Sequence, residues 1–237
     1  MSSGRPLILG HRGSPRRARE NTLEAFALAR DDGADGVELD IHRTRDGELL
    51  VHHDADIEGF GVIAEHDAAV VRGGYDWIPS LAEVLDECRG LLVNIEIKNS
   101  PKDADFDPDE SVATRVVDLL GARGGGDRVL VSSFHLPSID RVHALRPEIP
   151  TGYLTVMTPS PADAIGAAVI GGHRAVHPFF GVLADEGAAT VVGEAHALEI
   201  AVHTWTVNEP DEIVRLAAAG VDAIITDLPA VAIATLA

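Results

Sequence analysis

The sequence predicts an α/β protein: a (β/α)8 TIM barrel in one domain, residues 1–237, with a short insertion at 55–79 after the second strand. Three observations predict it. Short β-branched or apolar runs alternate with amphipathic helical stretches along the whole chain, the pattern of a parallel sheet covered by helices. The strand-like runs number eight, a count that closes a barrel more readily than it extends an open sheet. The chain has 237 residues, close to the ~250 that one such barrel uses.

The elements follow in order. Leu7 to His11 is the first strand, and a helix from Thr22 to Arg30 follows it, with Asn21 or Thr22 as N-cap and Gly33 as stop. Gly36 to Ile41 is the second strand. The turn signal Asp46-Gly47 separates it from Leu49 to Asp54, which reads as an extra hairpin arm and not as a ninth barrel strand. Ala55 to Pro79 carries Gly59, Gly61, Gly73 and Gly74 and shows no clear period, so it is expected as a loop or small lid over the barrel mouth. Ser80 caps a helix from Leu81 to Cys88. The third strand is Leu91 to Lys98, followed by a helix from Ser111 to Leu120 and a glycine-rich connection, Gly121 to Gly126, on the opposite face. The remaining strands are Arg128–Phe134, Gly152–Val156, Ala175–Pro178, Ile200–Val207 and Ala223–Thr226. Their helices are Ser138–Leu145, Ala162–Ile170, Gly193–Leu198, Glu212–Ala219 with Gly220 as stop, and Pro229–Leu236.

Composition narrows the function. A hydrophobic fraction of 46% supplies a large core, and no apolar run reaches the ~20 residues of a membrane span, so stable membrane insertion is not expected. Leu7-Ile8-Leu9 is too short for the apolar region of a secretory signal, and a single cysteine, Cys88, suits a reducing compartment; the cytoplasm is the expected location. The formal net charge of −19 argues against nucleic acid as a partner, since the general field repels phosphates. Any phosphate site must be rebuilt locally with cations.

In a parallel barrel the loops after the strands open on one face, so polar residues at strand ends converge there. The first strand ends in His11-Arg12-Gly13, the second carries Glu38-Leu39-Asp40, the extra arm ends in His53-Asp54 and the third carries Glu96-Ile97-Lys98. The spacing of two puts Glu38 with Asp40, and Glu96 with Lys98, on the same side of their strands. Two readings account for this set. One is a network of ion pairs among Glu38, Asp40, Glu96, Lys98 and Arg12. The other is an oxygen site for a hard divalent cation, and the excess of three acids over two bases favours it. His11 and His53, each ending a strand beside the acids, are the candidates for proton transfer. Arg12 and Lys98 are the candidates for holding phosphoryl oxygens. Trp205 is either core filling or a wall of the site, and Phe134 reads as core packing. His42 and His177 come near the mouth without an assigned role.

Together these residues resemble the glycerophosphodiester phosphodiesterase family. The resemblance runs through Gly10-His11-Arg12-Gly13, Glu20-Asn21-Thr22, Glu38-Leu39-Asp40, Val51-His52-His53-Asp54, Ile78-Pro79-Ser80-Leu81, Glu96-Ile97-Lys98, Ser133-Phe134, Trp205-Thr206-Val207-Asn208 and Gly220 to Asp227. It implies a divalent cation, Mg2+ or Ca2+ with Mn2+ as an alternative, on Glu38, Asp40 and Glu96. It also implies His11 and His53 as acid and base, Arg12 and Lys98 on the phosphate, and Trp205 as a wall against the substrate. The implied reaction is hydrolysis of a glycerophosphodiester to sn-glycerol 3-phosphate and an alcohol, with attack by the glycerol 2-hydroxyl and a cyclic phosphate that water opens. After Asp54 the chain lacks the Arg-Thr-containing stretch and longer insertion common in that family, which implies a more open mouth. A lysophospholipase D activity on a larger lipid is the nearest alternative. A non-catalytic phosphometabolite-binding barrel would need a damaged acid, base or metal set, and none is damaged. A metal-dependent amidohydrolase would need a His-X-His pair after the first strand, which His11-Arg12-Gly13 does not supply.

Overall fold

A computed structural model describes residues 4–183 and 187–237. Eight parallel strands close on themselves: β1 (Leu7–His11), β2 (Gly36–Arg43), β6 (Leu92–Ile97), β7 (Arg128–Ser133), β8 (Thr151–Thr155), β9 (Ala175–Pro178), β10 (Ala201–Thr204) and β11 (Ala223–Thr226). Closure is made by β1, which pairs with β2 through His11↔Glu38 and with β11 through Gly10↔Thr226. The arm expected after the second strand is β3 (Leu49–Val51), antiparallel to β2 through Ile41↔Val51. Among the described residues no helix is long and apolar enough to cross a membrane.

Alternation along each strand sorts the side chains. Val37, Leu39 and Ile41 of β2 and Val93, Ile95 and Ile97 of β6 face outward, into a core with Phe26 of α1 (Leu23–Asp31), Leu81 of α3 (Leu81–Glu87) and Val116 of α4 (Ser111–Ala122). Ile8, Val176, Val202 and Ile224 do the same on the other side, against α6 (Pro161–Gly171), α7 (Ala188–Ala197) and α8 (Pro210–Ala219). The intervening residues point into the barrel, where Leu9, Ala223 and Ile225 form a small apolar plug. A helix, α5 (Leu136–Leu145), also covers β7 and β8, and α9 (Pro229–Thr235) covers β1.

The caps settle the choices the sequence left open, and one helix start differs from the sequence reading. Thr22, not Asn21, caps α1, its side chain accepting from the Ala25 N–H. Ser80 caps α3 in a full capping box with Glu83. Helix α7 begins at Ala188 rather than Gly193. A mid-helix glycine costs only about 0.5–1 kcal/mol, which neighbouring Val192 and Ala195, both buried, offset.

The insertion is more ordered than its glycines suggest. It holds a two-stranded hairpin, β4 (Asp56–Ile57) with β5 (Gly61–Val62), a 3-10 turn and α2 (Ala68–Gly74). Its own core joins Ile57, Ile63, Val71 and Ile78 to Leu50, with Phe60, Tyr75 and Trp77 packed around them. It lies against the start of α1, where the Arg19 guanidinium sits 4.1 Å from the Trp77 ring centre.

Candidate active site

The loop after β1 is shaped by its backbone. Gly13 has φ +90 and packs so closely on α1 that a Cβ there would meet the Ala25 carbonyl oxygen at 2.7 Å. Arg12 and Asn21 also take left-handed φ values, 54 and 56. The result ties the loop down. The Arg12 N–H donates to the Glu38 carboxylate at 3.1 Å, and the Asn21 amide donates to Asp40 at 2.8 Å. Asn21 orders this loop by gripping an acid of the site.

A cavity of about 220 Å³ opens at the carboxyl ends of the strands. His11, Arg12, Glu38, His53, Glu96, Lys98 and Trp205 all line it, so seven of the eight residues singled out from the sequence meet in one place. The eighth, Asp40, lies behind them with 1% of its surface exposed, 3.3 Å from Arg12 and 3.1 Å from Lys98. Glu38, Asp40 and Glu96 each offer an oxygen within 4.8 Å of the others. Lys98 also contacts Glu96 at 2.7 Å.

The electrostatics test whether a cation fits. Burial and then the charge of Asp40 push the Glu38 carboxyl up to about 8. Glu96 is raised as well, because burial outweighs the nearby Lys98. Burial works against Asp40 too, but Lys98 and Arg12 hold it well below the usual carboxylate range. Lys98 and Arg12 therefore favour the charged form of Asp40, while burial and the crowding of three acids make Glu38 and Glu96 hold their protons more tightly than usual. A hard divalent cation suits this all-oxygen set and its surplus negative charge.

The histidines differ. His11 Nδ1 faces Asp227 at 2.7 Å, so a proton on Nδ1 donates to the carboxylate and Nε2 lies 4.0 Å from Glu38. Burial opposes a charged His11, yet the Asp227 hydrogen bond and the charge of Glu38 outweigh it and raise its pKa. His53 is partly exposed and pairs with Asp54 at 2.7 Å. Burial lowers its pKa and, with Lys98 and Arg12, outweighs the pull of Asp40. His52 turns away to Trp77, as its alternation with His53 predicts. His42 does not line the cavity: it is buried between Asp105 at 2.6 Å and the His53 carbonyl at 3.1 Å, backing that loop from below.

Three residues of the site were not assigned from the sequence. Asp227 ends β11 as His11 ends β1, and Asn208 fixes it by donating at 2.9 Å to its carboxylate while accepting from its N–H. The rule of titratable strand ends would have found it. Phe134 is not core packing: it is 38% exposed, lines the cavity and meets Trp205 edge to face at 5.5 Å. Asn94, neutral and without a titration signal, lines the floor. His177 does not reach the mouth; it is fully buried in the barrel, leaning over Gly152, where a Cβ would meet its ring at 2.5 Å. No residue of 55–79 lines this cavity.

Comparison with known proteins gives the family and the fold. The profile of the Glycerophosphoryl diester phosphodiesterase family matches residues 11–231. The chain is 31% identical to a glycerophosphodiester phosphodiesterase of Bacillus altitudinis and 30% identical to one of Caldanaerobacter subterraneus, each over 94% of both chains. Among solved structures it resembles a glycerophosphodiester phosphodiesterase of Thermotoga maritima, with a TM-score of 0.83 and 26% identity over 97% of both chains. It also resembles an Oleispira antarctica phosphodiesterase in complex with the product sn-glycerol-3-phosphate, with a TM-score of 0.84 and 25% identity over 98% and 96%. The chain belongs to the glycerophosphoryl diester phosphodiesterase family and is a phosphoric diester hydrolase of the (β/α)8 TIM-barrel fold.

Proposed function

We propose that the enzyme hydrolyses glycerophosphodiesters to sn-glycerol 3-phosphate and an alcohol. The observation that carries this reading is the joint placement of two histidines, two cationic side chains and three acids at one small cavity. The product held by the Oleispira antarctica relative supports the choice of substrate.

Glu38, Asp40 and Glu96 would hold one divalent cation, Mg2+ or Ca2+, with Mn2+ as an alternative. When bound, it offsets charge on phosphoryl and hydroxyl oxygens. Arg12 and Lys98 hold the phosphoryl oxygens and keep that charge local in an acidic protein. His11, with Nδ1 committed to Asp227, has Nε2 free to take or give a proton, and His53 serves the other side of the phosphorus. One histidine deprotonates the glycerol 2-hydroxyl and the other protonates the departing alcohol; water then opens the cyclic phosphate with the roles reversed. The intramolecular attack replaces a bimolecular step. Trp205, anchored by its indole N–H to the His177 carbonyl at 2.8 Å, forms the apolar wall beside them.

Released glycerol 3-phosphate, measured by a coupled dehydrogenase with glycerophosphocholine or glycerophosphoethanolamine as substrate, tests the reading. Release with Mg2+, Ca2+ or Mn2+ and its loss with a chelator are expected; no release with any of the three would overturn it. A cytoplasmic location belongs to the same proposal, supported by the single cysteine, and cell fractionation checks it.

A second reading, lysophospholipase D action on a larger lipid, is favoured by one observation. Beyond β8 the rim carries Val156 at 42% and Met157 at 68% exposure, and Phe134, just after β7, is also exposed. These side chains offer an apolar surface to an acyl chain, and higher turnover of lysophosphatidylcholine than of glycerophosphocholine would select this reading.

A further inference from the structure

Asn94 stands on β6 two residues before Glu96 and four before Lys98, so the three share the inner face of one strand. Each two-residue step is roughly 6.6 Å along the strand, which ranks them from mouth to floor as Lys98, Glu96, Asn94. Asn94 is 1% exposed, lines the cavity and pairs in register with Glu38 of β2 and Leu130 of β7. Neither its Oδ1 nor its Nδ2 has a hydrogen-bond partner.

A buried amide with both ends unpaired is costly, and an apolar side chain would fill the floor without that cost. Both atoms are buried, yet the side chain lines the cavity, so a ligand that reaches its floor can pair with them. Leu154 and Ile225 line the cavity with Asn94, and a volume of about 220 Å³ suits a short arm of a diester. With the phosphate held at the height of Lys98 and Arg12, the short arm points down toward Asn94 and the longer alcohol points out.

We propose that Asn94 is a specificity-determining residue that reads the vicinal diol of the substrate's glycerol arm. A primary amide sets an acceptor and a donor side by side, the complement of two hydroxyls on adjacent carbons. The 1-hydroxyl donates to Oδ1 and the 2-hydroxyl accepts from Nδ2. The 2-hydroxyl keeps its own proton for the histidine that removes it. This inference rests on the glycerophosphodiester reading above.

The test compares the Ca2+-loaded wild type with Asn94→Ala and Asn94→Leu. Calorimetric affinity for sn-glycerol 3-phosphate should fall about 10- to 100-fold in both variants, the loss of one or two neutral hydrogen bonds. Affinity for ethyl phosphate, which has no hydroxyl, should stay within about 2-fold. Equal losses for the two ligands, or no loss for either, would overturn the proposal. Ca2+ affinity without any phosphate ligand should not change; a weaker value would make Asn94 a cation ligand and refute the assignment. Asn94→Leu should unfold at or above the wild-type temperature, whereas a structural role for the amide would lower it. If the wild type releases no glycerol 3-phosphate from glycerophosphocholine, the proposed function fails. If it does and the variants do not discriminate the two ligands, only the role of Asn94 fails.

Discussion

The two sides of the barrel interior handle polar groups in opposite ways. On β1, β2 and β6 the inward face carries His11, Glu38, Asp40, Glu96 and Lys98, which stay charged or take up protons through close partners. On β7 to β10 it carries Ser132, Leu154, His177 and His203, with Phe134 and Trp205 above them at the mouth. His177 and His203 stack 4.7 Å apart, and burial holds both well below the ordinary histidine range, His203 at about 4. One side concentrates charge by pairing it. The other excludes charge by keeping its histidines neutral, which leaves the reacting side with a low-dielectric neighbour that strengthens its electrostatics.

The comparison breaks most visibly if the charged side can be disabled without unfolding. His11→Ala and His53→Ala should each lower kcat by about 100- to 10,000-fold, with thermal unfolding little changed. Steady-state release of glycerol 3-phosphate beside a calorimetric melt measures both, and near-normal turnover in either variant would remove that histidine from the chemistry. Asp227→Asn should cost less, about 10- to 100-fold, because the amide oxygen still accepts from His11 Nδ1 while the charge is gone. Asp227 raises the His11 pKa, so its removal should move the limb of the kcat/KM pH profile that belongs to His11 to lower pH. A drop in activity with an unmoved limb would mean that Asp227 acts on something other than His11.

The smallest expected effect sharpens the neutral side. An unfolded histidine titrates near 6.5 and folded His203 near about 4, so between these values the unfolded chain binds more protons. This stability is fully present above pH 6.5 and is lost as pH falls toward about 4, at about 1.4 kcal/mol per unit of pKa difference. His203→Gln should flatten that acid-side loss in urea titrations, leaving the share that His177 contributes with the same sign. An unchanged slope would show that His203 is not held neutral.

The barrel and its charged side were legible for the same reason. Eight strands with outward apolar residues leave a clear period of two, and titratable residues at their ends stand out against it, as Glu38, Asp40, Glu96 and Lys98 do. Asp227 obeys the same rule, one residue beyond β11. Asn94 and Phe134 were out of reach, because a neutral amide and an aromatic ring at a strand end look the same whether buried in a core or open to a cavity. The insertion escaped because its core residues, Leu50, Ile57, Ile63, Val71 and Ile78, come from pieces of two to seven residues, each too short to show a period.

The pairing of His11 with Asp227 spans 216 positions of the chain. Because β1 is flanked by β2 on one side and β11 on the other, the wall that holds His11 is finished only when the last strand is in place. During synthesis, a chain that already displays both histidines and all three acids still lacks Asp227 and the closing strand. Contacts of such long sequence separation form late and slowly. The emerging polypeptide should therefore be catalytically silent until β11 has left the ribosome, and truncation before β11 should abolish activity while sparing every residue of the acid trio.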